Sequence, residues 1–178
     1  MRRYIYFVFL LCCAVNLLLT SCVRQKYVVM DMVHHNPGEA MTESKFLDPS
    51  FLKKNEYGAK VFFLFEAAQF GIDWKSFDPS LFPATTEAGR WVAEKAEIIH
   101  KKYDAAKKED LQVYCMLDML VLPSLLVEKH RTELTNEQGK LDISKPYTQF
   151  CIRELMEEMF KTFPQLDGLV IRTGETYL

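Results

Sequence analysis

Beyond residue 26, short unbroken apolar runs alternate with longer stretches whose apolar positions recur every three or four residues. The run from Tyr27 to Val33 is β-branched and apolar and closes on His34-His35-Asn36-Pro37-Gly38, a turn-forming cluster, so it predicts a strand followed by a loop. Lys60 to Phe65 is apolar at every position after its first lysine, which suits a strand buried on both faces in a parallel sheet. Leu111 to Leu122, stopped by Pro123, and Leu166 to Thr173 read the same way. Helical spacing fills the intervals. Asp48-Pro49 opens a short helix ending near Gly58, with aspartate as cap and proline in the first turn. Thr85 or Thr86 caps a second helix reaching Lys108, with Val92, Ala96, Ile99, Tyr103 and Ala106 as its buried stripe. After a polar excursion from Glu133 to Lys145, with a turn at Gln138-Gly139, Ser144 and Pro146 open a third helix. There Ile152, Leu155, Met156, Met159 and Phe163 share one face, and Pro164 ends it.

The resulting order, β-α-β-α-β-α-β, predicts an α/β fold: parallel strands with covering helices and right-handed crossovers. Four such units match the first four β/α units of a TIM-type (β/α)8 barrel, or most of a doubly wound sheet. The fourth strand is followed by only five residues, Gly174 to Leu178. An apolar strand with an uncovered edge invites aggregation, so the expectation is a truncated barrel, or one that pairs with a missing C-terminal half-barrel.

The amino terminus follows different rules. Arg2 and Arg3 precede an apolar stretch from Tyr4 to Leu19, broken only by Asn16, and Leu19-Thr20-Ser21 leads into Cys22. A basic end, a short apolar segment and small residues make a secretory signal, and the stretch is short for a membrane span of about 20 residues. The tetrapeptide resembles a bacterial lipobox, with lipidation expected at Cys22; an uncleaved membrane anchor is the alternative. Residues 1–21 are thus read as signal peptide, 22–26 as lipidated cysteine and tether, and 27–178 as the partial barrel domain. Several acyl chains on one cysteine anchor stably where a single chain does not. The basic segment Val23-Arg24-Gln25-Lys26 carries no acidic surface-export tag, so the expected location is the cell envelope, periplasm-facing or at the outer membrane.

Composition narrows the function. The 178 residues are 49% hydrophobic with a formal net charge of -2, typical of a globular chain and too balanced to recruit nucleic acid by bulk charge. Of five cysteines, only Cys115 and Cys151 would remain in the domain without lipid, both in apolar settings that predict buried thiols.

In parallel α/β proteins, sites gather beyond the carboxyl ends of the strands. Those positions hold His34, His35 and Asn36 after the first strand, Glu66 and Gln69 after the second, Asp118 on the third, and Arg172 and Glu175 at the fourth. Trp74 and Tyr177 are aromatic candidates for stacking on a sugar ring, with packing an equal reading for Trp74, whereas Trp91, beside the apolar stripe, reads as core. Asn36-Pro37-Gly38-Glu39 lacks the spacing of a phosphate loop, and no third ligand joins the histidines at metal-binding spacing, so neither cofactor nor metal is expected.

The stretches Met32-Val33-His34-His35-Asn36-Pro37-Gly38-Glu39 and Asp167-Gly168-Leu169-Val170-Ile171-Arg172-Thr173-Gly174-Glu175-Thr176-Tyr177 resemble the strand-one and strand-four ends of (β/α)8-barrel glycoside hydrolases. They are most similar to alpha-glucuronidase-like and related carbohydrate-active proteins. The resemblance covers the front half of such a barrel and implies an oligosaccharide or polysaccharide partner. It implies Glu175 as general acid/base, because a glycosidic oxygen leaves poorly unless protonated. Arg172 could bind a substrate carboxylate bidentately, as a uronic acid would require, or could pair with a carboxylate of the chain. The second catalytic carboxylate belongs to strand seven of such barrels. Glu66 and Asp118 have only position to recommend them, so the expectation is a fragment inactive alone. The rivals are a non-catalytic carbohydrate-binding lipoprotein and a compact flavodoxin-like interaction module.

Overall fold

A computed structural model describes residues 28–31, 45–63, 68–118 and 120–172. The signal peptide and the lipidation cysteine lie outside the described residues. Four strands form one sheet in the order β1-β2-β3-β4, every neighbouring pair parallel. They are β1 (Met30–Asp31), β2 (Ala59–Phe62), β3 (Gln112–Asp118) and β4 (Gly168–Arg172). This order never reverses, unlike that of a doubly wound sheet. The α/β class and the parallel sheet follow the hydrophobic pattern.

The crossovers carry the helices. Between β1 and β2 lie a 3-10 turn (Lys45–Leu47) and α1 (Pro49–Lys54), capped by the Asp48 side chain on the Ser50 N–H at 2.9 Å. α1 stops sooner than its pattern predicts: the Asn55 side chain donates to the Phe51 carbonyl, and Glu56 adopts a positive φ of 63° that turns the chain. Between β2 and β3 runs α2 (Glu87–Lys108), where Thr86 accepts from the Gly89 N–H at 3.1 Å, and Lys107 and Lys108 meet the negative end of the helix. Between β3 and β4 lie α3 (Ser124–Lys129), α4 (Arg131–Leu134) and α5 (Pro146–Thr162). Pro146 does open α5, but Ser144 lies ahead of it and bonds Asp142.

The third strand ends at Asp118 rather than Leu122, where its neighbour also ends at Arg172. The apolar residues beyond it belong to the approach to α3 and to α3 itself, where Leu126 is buried. The predicted turn is present: Asn136 Oδ1 accepts from the Gln138 and Lys140 N–H groups, and Gly139 takes a φ of 78°.

Side chains alternate across the sheet, and one face carries all the long helices. Phe62, Val113, Cys115 and Leu117 pack with Leu52, Ile99, Tyr103, Ala106, Leu155 and Met159 in a single core. Ala59, Val61, Tyr114, Met116 and Asp118 point the other way, and Tyr114 covers Gly168, its partner on β4. The two tryptophans differ in burial, and only Trp91 departs from its expected place in the core. Trp74 is 2% exposed, wedged against Phe77 and Phe82 with its Nε1 donating to the Phe70 carbonyl, so it packs rather than stacks on a sugar. Trp91 is 46% exposed, because it sits one residue from the Val92 stripe and about 100° around the helix, where Lys95 lies over its ring.

The β2–α2 connection is pressed against its own helix at Gly89, where a methyl group would stand 2.1 Å from the Pro83 carbonyl oxygen. Alanine favours a helix interior over glycine by about 1 kcal/mol. We expect Gly89→Ala nevertheless to lower stability by roughly 1–3 kcal/mol, through forced displacement of the loop. Urea denaturation measures this, and a stabilised variant would show that the loop does not lie on α2.

Candidate functional site

Because all four strands run the same way, their carboxyl ends share one rim of the sheet. The segments leaving that rim are 32–44, 63–86, 119–145 and the chain after residue 172. His34, His35, Asn36, Glu66, Glu175 and Tyr177 lie outside the described residues. Gln69, Asp118 and Arg172 are described.

Asp118 and Arg172 are register partners at the ends of β3 and β4, on the face away from the long helices. Arg172 donates from Nε to Asp118 Oδ1 at 2.6 Å and from Nη2 to Oδ2 at 2.7 Å, a bidentate fork. Asp118 is 2% exposed. The guanidinium thus holds a carboxylate of its own chain, and a catalytic role for Asp118 would require breaking both bonds.

Gln69 lies in the 3-10 turn Ala68–Gly71 just past β2 and is fully buried. Neither its Nε2 nor its Oε1 has a hydrogen-bond partner among the described residues. A buried amide in this state costs free energy on both atoms.

A second polar cluster joins two of the rim's loops. Asp78, from the β2–α2 connection, receives Lys129 Nζ at 2.6 Å and meets His130 Nε2 at 2.8 Å on Oδ2, while its Oδ1 accepts the Ser80 N–H and hydroxyl, both at 2.8 Å. These donors, Lys129 foremost, hold the Asp78 carboxyl well below the usual carboxylate range. His130, between α3 and α4, reaches Glu133 Oε2 with Nδ1 at 2.8 Å. The Lys129 ammonium also contacts the Ser80 hydroxyl. Sequence reading misses this cluster because Asp78 and His130 are 52 positions apart. Its only local signal is the i,i+3 spacing of His130 and Glu133, common on any solvated helix.

Among the described residues no group of three His, Cys, Asp or Glu side chains is arranged to hold a metal ion. Cys115 in β3 and Cys151 in α5 are buried thiols, as their apolar surroundings predict, and burial pushes Cys151 up to about 11. It is an unreactive packing residue at neutral pH. No described helix is long and apolar enough to cross a membrane.

Fold and rim together define an α/β protein with a parallel sheet wound in one direction. No protein-family model, curated protein or solved structure matches the chain.

The Gln69 amide yields a direct test. Gln69→Met keeps the length of the side chain and removes both buried polar atoms, so we expect stability to rise by about 1–3 kcal/mol. Chemical denaturation reads this; an equal loss would mean that the amide is hydrogen-bonded in solution.

Proposed function

We propose that this chain is a lipid-anchored, carbohydrate-active protein of the cell envelope, resembling the front half of a (β/α)8 glycoside hydrolase and unable to cleave sugar alone. What supports the barrel reading is the order of the sheet, β1 to β4 without reversal, with the long helices packed on one face. A sheet wound in this sense curls toward closure, and further units or a second half-barrel would complete it. The rim at the carboxyl ends is then the place for an oligosaccharide, with Glu175 as the proton donor to a glycosidic oxygen.

A hydrolase of this type needs a second carboxylate to attack the sugar or activate water. Of the two candidates for it, Asp118 is held in the Arg172 fork and Glu66 lies outside the described residues. That favours carbohydrate binding without turnover as the activity of the isolated chain. Arg172 then acts by orienting Asp118 at the rim, and its reach to a uronic acid depends on exchanging one carboxylate for another. The lipid on Cys22 would hold this rim near the membrane.

Two measurements test the reading. Calorimetry with plant and host oligosaccharides, uronic-acid-containing ones among them, should give binding heat with no product released. Glu175→Gln should leave affinity unchanged, and Arg172→Ala should weaken it about tenfold, near 1.4 kcal/mol. Absence of heat with every sugar class would end the carbohydrate proposal. For the anchor, Cys22→Ser should move the protein from the membrane to the soluble fraction and remove the acyl mass; unchanged fractionation would end the lipid assignment.

A further inference from the structure

The cluster at His130 bears on a question separate from sugar binding. Both ring nitrogens of His130 face carboxylates, Nε2 toward Asp78 and Nδ1 toward Glu133, each at 2.8 Å. Ionised carboxylates only accept hydrogen bonds, and a neutral imidazole has a single N–H. A neutral His130 would therefore satisfy one carboxylate and turn a lone pair toward the other. Only the imidazolium, with two N–H groups, fits both.

We propose that His130 is a proton-operated latch that ties the β2–α2 loop to the α3–α4 segment and lets go when the imidazolium loses its proton. The contact it controls is long-range: Asp78 belongs to the first element, and His130, Lys129 and Glu133 to the second. The groups facing the ring are Asp78 from the loop, Lys129 from α3 through their shared Asp78, Glu133 from α4, and Tyr147 from α5. Tyr147 packs 4.7 Å from the imidazole and donates its hydroxyl to the Phe77 carbonyl at 2.8 Å, beside Asp78. Burial, foremost, pushes Tyr147 up to about 12, so it stays neutral while His130 titrates. Asp78, held ionised by Lys129 first, does not change state in that range. Neither Asp78 nor Tyr147 therefore takes or gives up a proton as His130 titrates.

The latch has something to move. A groove of about 550 Å³ runs between the same two elements, with Leu81, Phe82 and Pro83 on the loop side and Leu125, Glu128 and Lys129 on the α3 side. Releasing the tie frees one wall relative to the other. Lys129 still holds Asp78 after deprotonation, so the effect is loosening, not unfolding.

Glu133 and then Asp78 raise the His130 pKa above its ordinary value near 6.5. A raised histidine pKa contributes stability that is fully present below pH 6.5 and is lost as pH climbs through the folded value. The test is imidazole NMR titration of the full chain in detergent, with amide exchange of residues 77–83 normalised for intrinsic rate. We expect His130 to titrate above 6.5, because the latched form prefers the proton. Asp78→Asn and Glu133→Gln should each lower that value, and loop protection should drop between pH 6 and 9. In His130→Gln that drop should vanish. A wild-type His130 titrating at or below 6.5, or loop protection that ignores pH, would overturn the latch; the wild-type titration decides even if the variants fold poorly.

Discussion

The register of the two outer strand pairs, β1 with β2 and β3 with β4, is held by a cross-strand ion pair in each, and the geometry of the rim depends on them. Asp31 and Lys60 are opposite one another on β1 and β2, as Asp118 and Arg172 are on β3 and β4. Lys60 and Asp31 are both nearly shut from solvent, and the ammonium also donates to the Phe46 carbonyl, which brings in the turn ahead of α1. A slip of one residue would turn each partner to the other face and leave buried charges unpaired, a far larger penalty than the weak preference of a two-residue strand for any register. Such pairs contribute little net stability, since desolvation offsets most of the attraction. What they supply here is position.

Position matters because the faces of the sheet have different work. Lys60 lies on the helix face with Phe62, Val113, Cys115 and Leu117, where aromatic and aliphatic side chains from α2 and α5 close the core. Asp118 and Arg172 lie on the opposite face, with Val61 and Met116. A sheet whose long helices all cover one side is wound in a single sense, and its carboxyl ends then align instead of dividing about a reversal point. A further tie sits at the other end of the strands: Asp167 accepts the Val113 N–H at 2.6 Å and Lys107 Nζ at 2.5 Å, binding the approach to β4 to β3 and to the end of α2.

Much of this frame was legible in the pattern of residues. Thr86 and Asp48 announce their helices because a short oxygen-bearing side chain must satisfy amides that have no partner within the helix. The α2 stripe is legible because helical spacing brings Val92, Ala96, Ile99, Tyr103 and Ala106 to one side of the helix. Trp91 was not legible, since aromatic size says nothing of which way a stripe's neighbour points, and the same limit left Trp74 open between packing and stacking. The short helices α3 and α4 were missed as well. Six and four residues hold too few turns for periodicity, and Leu120, Val121 and Leu122 read more easily as strand. Of the candidate rim, the Asp118–Arg172 pairing was open to anticipation as one of two fates for the arginine. The Asp78–His130 tie was not, because nothing local records a contact between distant loops.

That difference reflects where constraint resides in the molecule. Strands and helices are specified by neighbours in sequence, so their chemistry repeats at short intervals and can be read in order. Loops leaving one rim are specified by one another, through side chains whose partners lie tens of residues away. The Asp78, Ser80, Lys129 and His130 contacts replace for these connections what backbone ladders supply to the sheet. They are also exchangeable in a way that ladders are not. A carboxylate with several donors loses one without losing its place, whereas a strand that loses its ladder loses its register. A polar network between loops can therefore respond to a proton while the sheet beneath it keeps Asp118 and Arg172 in line.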